Sequence, residues 1–317
     1  MIKIGIIGAG AIAEDHLRVL ETFNDVSIVA ISNRSKDRLD FIKDKYDIGH
    51  SYLDYNQMIK EIKLDAIFVT VSLFNLTEVT SACLESGIPT FIEKPAGLST
   101  QDIESLIIIS NSNKTINMVG LNRRFYSNIL NAFEIIKKDG GVRTILIDAP
   151  QRISDINHWK GFESKTNIWN GIHCIDLFRF FCGEIEYLNA DVKNNNNNKF
   201  NDTFNSMIKF KNNSVGHFIS NWCAEGKWSV ILVGNSKRVN IQPLENGHYF
   251  DKKSNIKDLK VSKEDINFKP GFYYQDRFFI DSIISKSTIN YPASDLNDYY
   301  NTMKLACEIN SGGYHKW

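Results

Sequence analysis

The chain contains 317 residues, enough for about two domains with hydrophobic cores of their own. Hydrophobic residues make up 43% of the sequence and charged residues 23%, as in ordinary globular proteins. The 37 basic residues balance 37 acidic residues. This zero net charge argues against a dedicated nucleic-acid binder and against attraction to an anionic membrane.

The sequence carries no pattern typical of a membrane span, an export signal or a metal centre. No apolar run reaches the roughly 18 residues of a spanning helix. The opening MIKIGIIGAG runs into glycines rather than a cleavage site, so we expect no signal peptide. The 5 cysteines are scattered and form no Cys-x-x-Cys pair, so we expect free thiols and no bound metal. We therefore predict a cytoplasmic protein.

Strand-like and helix-like patterns alternate through the first part of the chain. Short apolar runs predict strands at residues 2–7, 26–31, 66–71, 90–92 and 116–119. Helical spacing predicts helices at residues 11–23, 36–46 and 76–86, and a further helix to residue 109 that opens with a capping box at Ser99 and Asp102. Repeated units of this kind predict a doubly wound parallel sheet of the Rossmann type, which we assign to residues 1–121.

The pattern changes in the second part of the chain. We predict a strand at residues 143–147, a helix at 169–181, hairpins at 204–211 with 215–222 and at 228–233 with 238–241, and a closing helix at 296–309. Alternation with a period of two is typical of antiparallel sheets. We therefore assign residues 122–317 to an α+β domain for substrate binding and oligomerisation, whose last helix can pack back on the first domain.

The sequence GAGAIA at residues 8–13 follows the first predicted strand and opens the first predicted helix. Gly8 permits a tight turn, Gly10 lets the backbone approach a pyrophosphate, and Ala13 allows close packing of the helix on the strand. The pyrophosphate would bind at the helix N-terminus, beside Ala11 and Ile12. The alternative is a tight turn in an unrelated α/β protein.

The residues after the second strand indicate which dinucleotide binds. An NAD enzyme usually has an acid there for the ribose 2′-hydroxyl, but this chain has Ser32, Asn33, Arg34 and Ser35. Arg34 can pair with a 2′-phosphate, and its neighbours can donate hydrogen bonds. We predict NADP as the preferred cofactor, with NAD possible. The alternative for Arg34 is a surface arginine at a helix start. The missing acid also argues against a methyltransferase.

Five segments together carry a family resemblance. GAGAIA at 8–13, EKP at 93–95, GLNRRF at 120–125, GIHCID at 171–176 and ILVGNSKRVNI at 231–241 resemble the Gfo/Idh/MocA oxidoreductases, over essentially the whole chain. The resemblance implies a Rossmann domain followed by a domain with a large open, mainly antiparallel sheet. It implies NAD(P)-dependent oxidation or reduction of a hydroxyl or keto carbon on a sugar, an inositol or a nucleotide-linked sugar. It also implies a homodimer or homotetramer.

The resemblance assigns roles to residues of the EKP and GIHCID segments. Lys94 would contact nicotinamide and substrate, with Glu93 beside it at the cofactor, and the bond from Lys94 to Pro95 would be cis. His173 would be the catalytic acid or base. This chemistry is reasonable, because a histidine titrates near neutral pH and an ammonium stabilises a developing alkoxide. The alternatives are a core histidine and a surface lysine.

The resemblance also indicates Asn122, Arg123 and Arg124 as substrate contacts. We add Trp169, Asn170 and Asp176 from their positions beside His173, which completes the predicted substrate-binding set. Asp176 lies three residues after His173, where it can either orient the imidazole or brace the helix. Three positions depart from the family pattern. Trp169 stands where an aspartate is common, one helical turn before His173; Val71 and Ser72, at the nicotinamide pocket, replace a threonine–proline pair; and Leu76 replaces a histidine.

We weigh three functions on these residues. The first is an NADP-preferring oxidoreductase of a sugar or nucleotide-linked sugar, with Arg152 and Lys160 as further anion contacts and Trp159 as a ring-stacking surface. The second, motivated by Trp169, is a non-catalytic NADP-binding sensor or regulatory protein. The third is an interaction protein that keeps only the fold, since fold alone does not define function.

Overall fold

A computed structural model describes residues 1–152, 163–195, 200–251 and 253–317. The chain forms two compact units. The first joins Met1–Phe125 to Glu264–Tyr300, and the second joins Tyr126–Lys263 to Asn301–Trp317. The domain division that we place between residues 121 and 122 stays a prediction. Apart from the expectation that the last helix can pack back on the first domain, no sequence pattern indicated that residues 264–300 belong with the first unit.

The strands are β1 Ile2–Ile7, β2 Val26–Ser32, β3 His50–Tyr52, β4 Ala66–Val69, β5 Thr90–Ile92, β6 Asn117–Val119, β7 Thr144–Asp148, β8 Ile185–Lys193, β9 Thr203–Phe210, β10 Val215–Asn221, β11 Ser229–Val233, β12 Arg238–Ile241, β13 Gly247–Phe250, β14 Ile256–Asp258 and β15 Gly313–Lys316. The helices are α1 Ala11–Leu20, α2 Lys36–Lys45, α3 Tyr55–Glu61, α4 Leu73–Glu85, α5 Thr100–Asn113, α6 Ser127–Lys138, α7 Thr166–Trp169, α8 Ile172–Cys182, α9 Lys263–Asn267, α10 Phe272–Ser285 and α11 Leu296–Ser311.

The first unit contains a parallel sheet of six strands in the order β3-β2-β1-β4-β5-β6. Strands β4, β5 and β6 are buried along their whole length, as expected for strands covered on both faces. Strand order reverses between β1 and β4, so the connections that follow these two strands leave to opposite faces of the sheet. This is the place where doubly wound sheets bind ligands. The predicted Rossmann sheet is confirmed.

The second unit contains a mixed sheet, which among the described residues has nine strands in the order β14-β13-β12-β11-β7-β10-β9-β8-β15. Every pairing is antiparallel except that of β7 with β10. Both predicted hairpins are present, as β9–β10 and β11–β12. The predicted α+β domain with a large, mainly antiparallel sheet is therefore confirmed.

The prediction of one continuous helix at 169–181 is wrong, because two separate helices, α7 and α8, cover this stretch. The amides of Asn170 and Gly171 both donate to the carbonyl of Thr166, which closes α7 before α8 begins. A side chain at Gly171 would place its Cβ 2.9 Å from Cα of Asn167, so only glycine fits this close crossing. Trp169 therefore ends α7 and does not lie one turn before His173 on a shared helix.

The predicted capping box at the start of α5 is only half formed. The hydroxyl of Ser99 accepts a hydrogen bond from the amide of Asp102 at 3.2 Å, as in a capping box. The carboxylate of Asp102 accepts instead from the amide of Leu98 at 2.8 Å. Two backbone amides at the start of α5, those of Leu98 and Asp102, therefore still have side-chain acceptors.

Candidate functional site

The glycine turn after β1 takes its shape from Gly8. This residue has φ of +108°, in the left-handed region that disfavours side chains, and its Cβ would lie 2.6 Å from the carbonyl oxygen of Thr70 on the neighbouring chain segment. Its amide donates to the carbonyl of Ser32 at 2.8 Å. The turn is therefore fastened between β2 and the end of β4.

Gly10, at the N-cap of α1, faces open space. A Cβ built on it meets no heavy atom within 4 Å, although the backbone there is ordinary extended chain. The amides of Ala11 and Ile12 open the helix behind it, while Ala13 is fully buried against the sheet. An open space at a helix N-terminus fits a pyrophosphate, which can approach the free N–H groups there.

A cavity of about 560 Å³ lies beside this turn, at the carboxyl ends of β1, β2 and β4. Seven predicted cofactor residues line it: Gly8, Gly10, Ser32, Asn33, Arg34, Val71 and Ser72. Ala11, Ile12, Ser35, Glu93 and Lys94 are not among the lining residues. Sequence reasoning missed the other nine lining residues, which are Ile7, Ala9, Leu53, Asp54, Tyr55, Thr70, Asn75, Glu78 and Val79. Three of these follow β3, a strand too short to show periodicity.

Two charged side chains of this cavity, Arg34 and Asp54, have different surroundings. The Arg34 guanidinium is exposed and lies 3.4 Å from the amide oxygen of Asn75. The Asp54 carboxylate accepts from the amide of Asn56 at 2.9 Å, because Asp54 is the N-cap of α3. One oxygen of the Asp54 carboxylate therefore caps α3, and Arg34 lines the cavity.

Lys94 follows β5, at the same edge of the sheet. Burial lowers the pKa of the Lys94 ammonium to about 8, with Glu93 opposing this and the cations Arg123 and Lys269 reinforcing it. The peptide from Lys94 to Pro95 is cis, as the resemblance implies. A lysine with this pKa can gain or lose a proton near neutral pH.

The carboxylate of Glu93 does not face the cavity but contacts a buried histidine that sequence reasoning missed. Nε2 of His16 on α1 lies 3.2 Å from Oε1 of Glu93. Nδ1 of His16 lies 2.8 Å from Oδ2 of Asp276 on α10. The helical spacing of His16 in the sequence was typical of a core residue, and nothing local pointed to Asp276.

The predicted substrate residues of the first unit differ in their surroundings. The amide of Asn122 donates to the carbonyl of Pro270 at 2.9 Å. The buried guanidinium of Arg124 lies 3.0 Å from the carboxylate of Asp298 and donates to two backbone carbonyls. Arg124 therefore stabilises the segment that contains Pro292 and Ala293, whose carbonyls accept its hydrogen bonds. Arg123 is the residue of this set whose charge acts on Lys94.

In the second unit, His173 lies in the first turn of α8 and is buried. Asp176 accepts a hydrogen bond from the hydroxyl of Thr302 on α11 at 2.9 Å. The guanidinium of Arg179 donates to the same hydroxyl at 3.1 Å. Asp176 thus braces α8 against α11, and its predicted role toward substrate stays a prediction.

The remaining predicted residues of this unit lie near the start of α8. Trp169 is buried at the end of α7, and the amide of Asn170 donates to the side chain of Gln151 at 2.6 Å. Arg152 is exposed and lies 3.5 Å from the carboxylate of Glu225. Trp159 and Lys160 lie outside the described residues.

None of the described helices is both long enough and apolar enough to span a bilayer. No three described side chains of His, Cys, Asp or Glu form a group able to hold a metal ion.

A parallel sheet with a glycine turn after its first strand, and a cavity at its carboxyl edge, defines a dinucleotide-binding Rossmann protein. Comparison with protein-family models identifies which one. The model for the Gfo/Idh/MocA oxidoreductase family, NAD-binding Rossmann fold, matches residues 2–121. The model for the GFO/IDH/MocA C-terminal domain matches residues 153–240. The chain belongs to the Gfo/Idh/MocA oxidoreductase family.

Curated relatives match over part of their length. A myo-inositol 2-dehydrogenase of Thermotoga maritima is 30% identical over 60% of this chain and 58% of its own length. A 4-carboxy-2-hydroxymuconate-6-semialdehyde dehydrogenase of a Sphingobium species is 28% identical over 59% of this chain and 61% of its own length. The matched region therefore spans about three fifths of these relatives.

Solved structures share the fold over nearly the whole chain. The aldose–aldose oxidoreductase of Caulobacter crescentus has a TM-score of 0.85 at 16% identity, covering 100% of this chain and 99% of its own. The myo-inositol 2-dehydrogenase of Lactobacillus plantarum has a TM-score of 0.80 at 21% identity, covering 99% of each chain. These likenesses establish the fold.

Proposed function

We propose that this protein is an NAD(P)-dependent oxidoreductase that transfers a hydride between nicotinamide and a hydroxyl or keto carbon of a sugar, a sugar alcohol or a nucleotide-linked sugar. The observation that carries the proposal is the cavity at the carboxyl edge of the parallel sheet, with the open position at Gly10 and Lys94 following β5. Family membership and the inositol dehydrogenases among the relatives support the reaction class.

The cofactor would be held by the glycine turn and by the residues after β2. The amides at the start of α1 would bind the pyrophosphate, and Arg34 would pair with a ribose 2′-phosphate. No carboxylate follows β2 directly, and Arg34 lines the cavity. These features favour NADP over NAD. When bound, the dinucleotide supplies or accepts the hydride.

In this proposal, Lys94 and His173 assist the removal of the proton from the substrate hydroxyl. The Lys94 ammonium would stabilise the charge that develops on the substrate oxygen, and the His173 imidazole would take the hydroxyl proton during oxidation. Because the pKa of Lys94 is lowered to about 8, the ammonium is lost as the pH rises through that value. Turnover that needs the ammonium should therefore fall on the alkaline side.

Polyhydroxylated substrates fit the side chains that the proposal assigns to substrate. The amides of Asn122 and Asn170 can bind hydroxyl groups, Arg123 can bind an acidic substituent, and Trp169 can pack on a sugar face. We further propose a homodimer or homotetramer, which light scattering on the eluted peak of a gel-filtration column would identify.

Two measurements test the function. Fluorescence titration with NADPH and NADH should give a tighter dissociation constant for NADPH. A screen of inositols, aldoses and nucleotide sugars, with reduced cofactor detected by absorbance, should then find a substrate whose turnover Lys94→Ala abolishes while cofactor affinity stays within a few-fold. Cofactor binding without turnover on any substrate would favour the sensor alternative, and binding of neither cofactor would contradict both.

A further inference from the structure

The side chains of Asp276, His16 and Glu93 form a buried hydrogen-bonded chain that the proposed mechanism does not use. The two distances at His16, 2.8 Å to Asp276 and 3.2 Å to Glu93, connect α10 through α1 to the end of β5. The second oxygen of Glu93, Oε2, accepts a hydrogen bond from the backbone amide of Lys94 at 3.2 Å. This series of hydrogen bonds therefore ends at Lys94, the residue that we propose stabilises charge on the substrate oxygen.

Both ring nitrogens of the histidine in this chain lie within hydrogen-bond distance of carboxylate oxygens, an arrangement that the imidazolium form satisfies with one proton on each nitrogen. Burial alone would lower the pKa of His16, but Asp276 and, to a smaller extent, Glu93 outweigh burial and raise the pKa to about 9. Three aromatic rings lie within 5.3 Å of the imidazole centroid and keep the site apolar around the charged groups: Phe68, Phe91 and Phe272.

The absence of a side chain at Gly120 leaves room for the Glu93 carboxylate. A Cβ at Gly120 would lie 3.0 Å from Oε1 of Glu93 and 3.0 Å from the ring of Phe91, so a larger residue would displace the carboxylate. His16 and Asp276 are fully buried. Well-packed apolar side chains in such a place would be at least as stable as buried charges. Stability alone therefore does not account for three ionisable groups here.

We propose that His16 and Asp276 are positioning residues for Lys94: their charges hold the Glu93 carboxylate in place, and that carboxylate fixes the Lys94 backbone and maintains the ammonium form of its side chain. The proposal rests on the proposed function for what Lys94 does in the reaction. The arrangement itself is independent of that function.

The charges that act on Lys94 give the direction of the effect. Burial, Arg123 and Lys269 all lower the pKa of the ammonium, and Glu93 is the group that raises it. If His16 loses its charge, the buried Glu93 carboxylate loses its hydrogen-bonded counter-charge and is no longer held beside Lys94. Lys94 then keeps only the influences that lower its pKa, and the ammonium form disappears at a lower pH.

The test measures the protonation of Lys94 without any substrate. The intact protein is labelled with a trace of acetic anhydride over a range of pH, and mass spectrometry of the Lys94 peptide gives the midpoint of amine reactivity. The variants are His16→Gln and Glu93→Gln, with Phe279→Leu as the control. Phe279 lies in the same aromatic cluster, with ring centroids 5.5 Å from Phe68 and 5.6 Å from Phe91, and carries no charge.

We expect a midpoint near pH 8 in the parent protein and a midpoint lower by about 1 unit in both charge variants, the scale of a neighbouring charge. The control should keep the parent midpoint. The double variant of His16 and Glu93 should shift no further than Glu93→Gln alone, since both changes act through one carboxylate.

An unchanged midpoint in folded His16→Gln would overturn the proposal, as would an equal shift in Phe279→Leu or additive shifts in the double variant. If His16→Gln does not fold, the near-isosteric Asp276→Asn carries the same test. Where a substrate is found, the alkaline limb of kcat should move by the same amount as the labelling midpoint. If no sugar is turned over, the proposed function is refuted. The labelling experiment needs no substrate, so its result still decides whether His16 and Asp276 position Lys94.

Discussion

Replacing Gly10 by alanine separates cofactor binding from folding. Gly10 is the N-cap of α1 with φ of −78° and ψ of −176°, values that any residue adopts. A Cβ there has no heavy atom within 4 Å in the protein. The methyl group therefore fits the fold and occupies only the space through which an anion would approach the helix.

The expected change in stability is small because two effects oppose each other. Alanine has less backbone freedom to lose than glycine, which favours folding by about 0.4–1 kcal/mol. Alanine is also the poorer N-cap, by about 0.5–1 kcal/mol. The free energy of unfolding should thus stay within about 0.5 kcal/mol of the parent value. Binding, in contrast, should lose about 1.5–3 kcal/mol, the range of a hydrogen bond to a charged group, or roughly 10- to 150-fold in Kd.

Urea unfolding and fluorescence titration with NADPH and NADH measure the two quantities separately. Gly8→Ala is the matched control in the same turn, because φ of +108° and a Cβ 2.6 Å from the Thr70 carbonyl oxygen make it destabilising by about 2 kcal/mol or more. Gly10→Ala protein that is as stable as the parent and binds both dinucleotides within twofold of it would refute the cofactor assignment.

Three further predictions concern other parts of the chain. Arg34→Ala should weaken NADPH by ~1.5–3 kcal/mol and leave NADH nearly unchanged in parallel titrations, and equal losses would remove the 2′-phosphate role. His173→Asn should eliminate the acidic limb of the kcat/KM profile for oxidation, because a general base must be neutral to act; a retained limb would exclude His173 as that base. Gly171→Ala should destabilise the protein by about 1–3 kcal/mol in urea, since its Cβ would lie 2.9 Å from Cα of Asn167; a change under about 0.5 kcal/mol would contradict the close crossing of α7 and α8.

Features that depend on near neighbours in sequence could be predicted from the sequence. The buried strands of the first sheet, both hairpins of the second and the turn at Gly8 and Gly10 follow from side-chain periodicity and from the backbone freedom of glycine. The elements missed include short ones such as β3 and β15, which contain too few residues to show a period. They also include three longer elements, α6, β8 and α10.

The break between α7 and α8 shows where local patterns stop being informative. Apolar spacing continues across residues 169–181, so periodicity alone predicts one helix. The break arises because the amides of Asn170 and Gly171 share the carbonyl of Thr166, and because glycine at 171 permits backbone to cross within van der Waals distance. The position of Trp169 relative to His173 could not be derived from spacing for this reason.

The sequence by itself determined the Rossmann sheet and the glycine turn, since each depends on residue types at short spacing. It also determined the family, which depends on several short motifs that occur together along the chain. Only the tertiary structure decided the surroundings of Lys94. His16 and Asp276 are 260 residues apart, and His16 and Glu93 are 77 apart, yet all three meet in one buried chain. Such pairings form because buried charges must find partners when α1 and α10 pack together, and no local pattern encodes which partner a distant helix supplies.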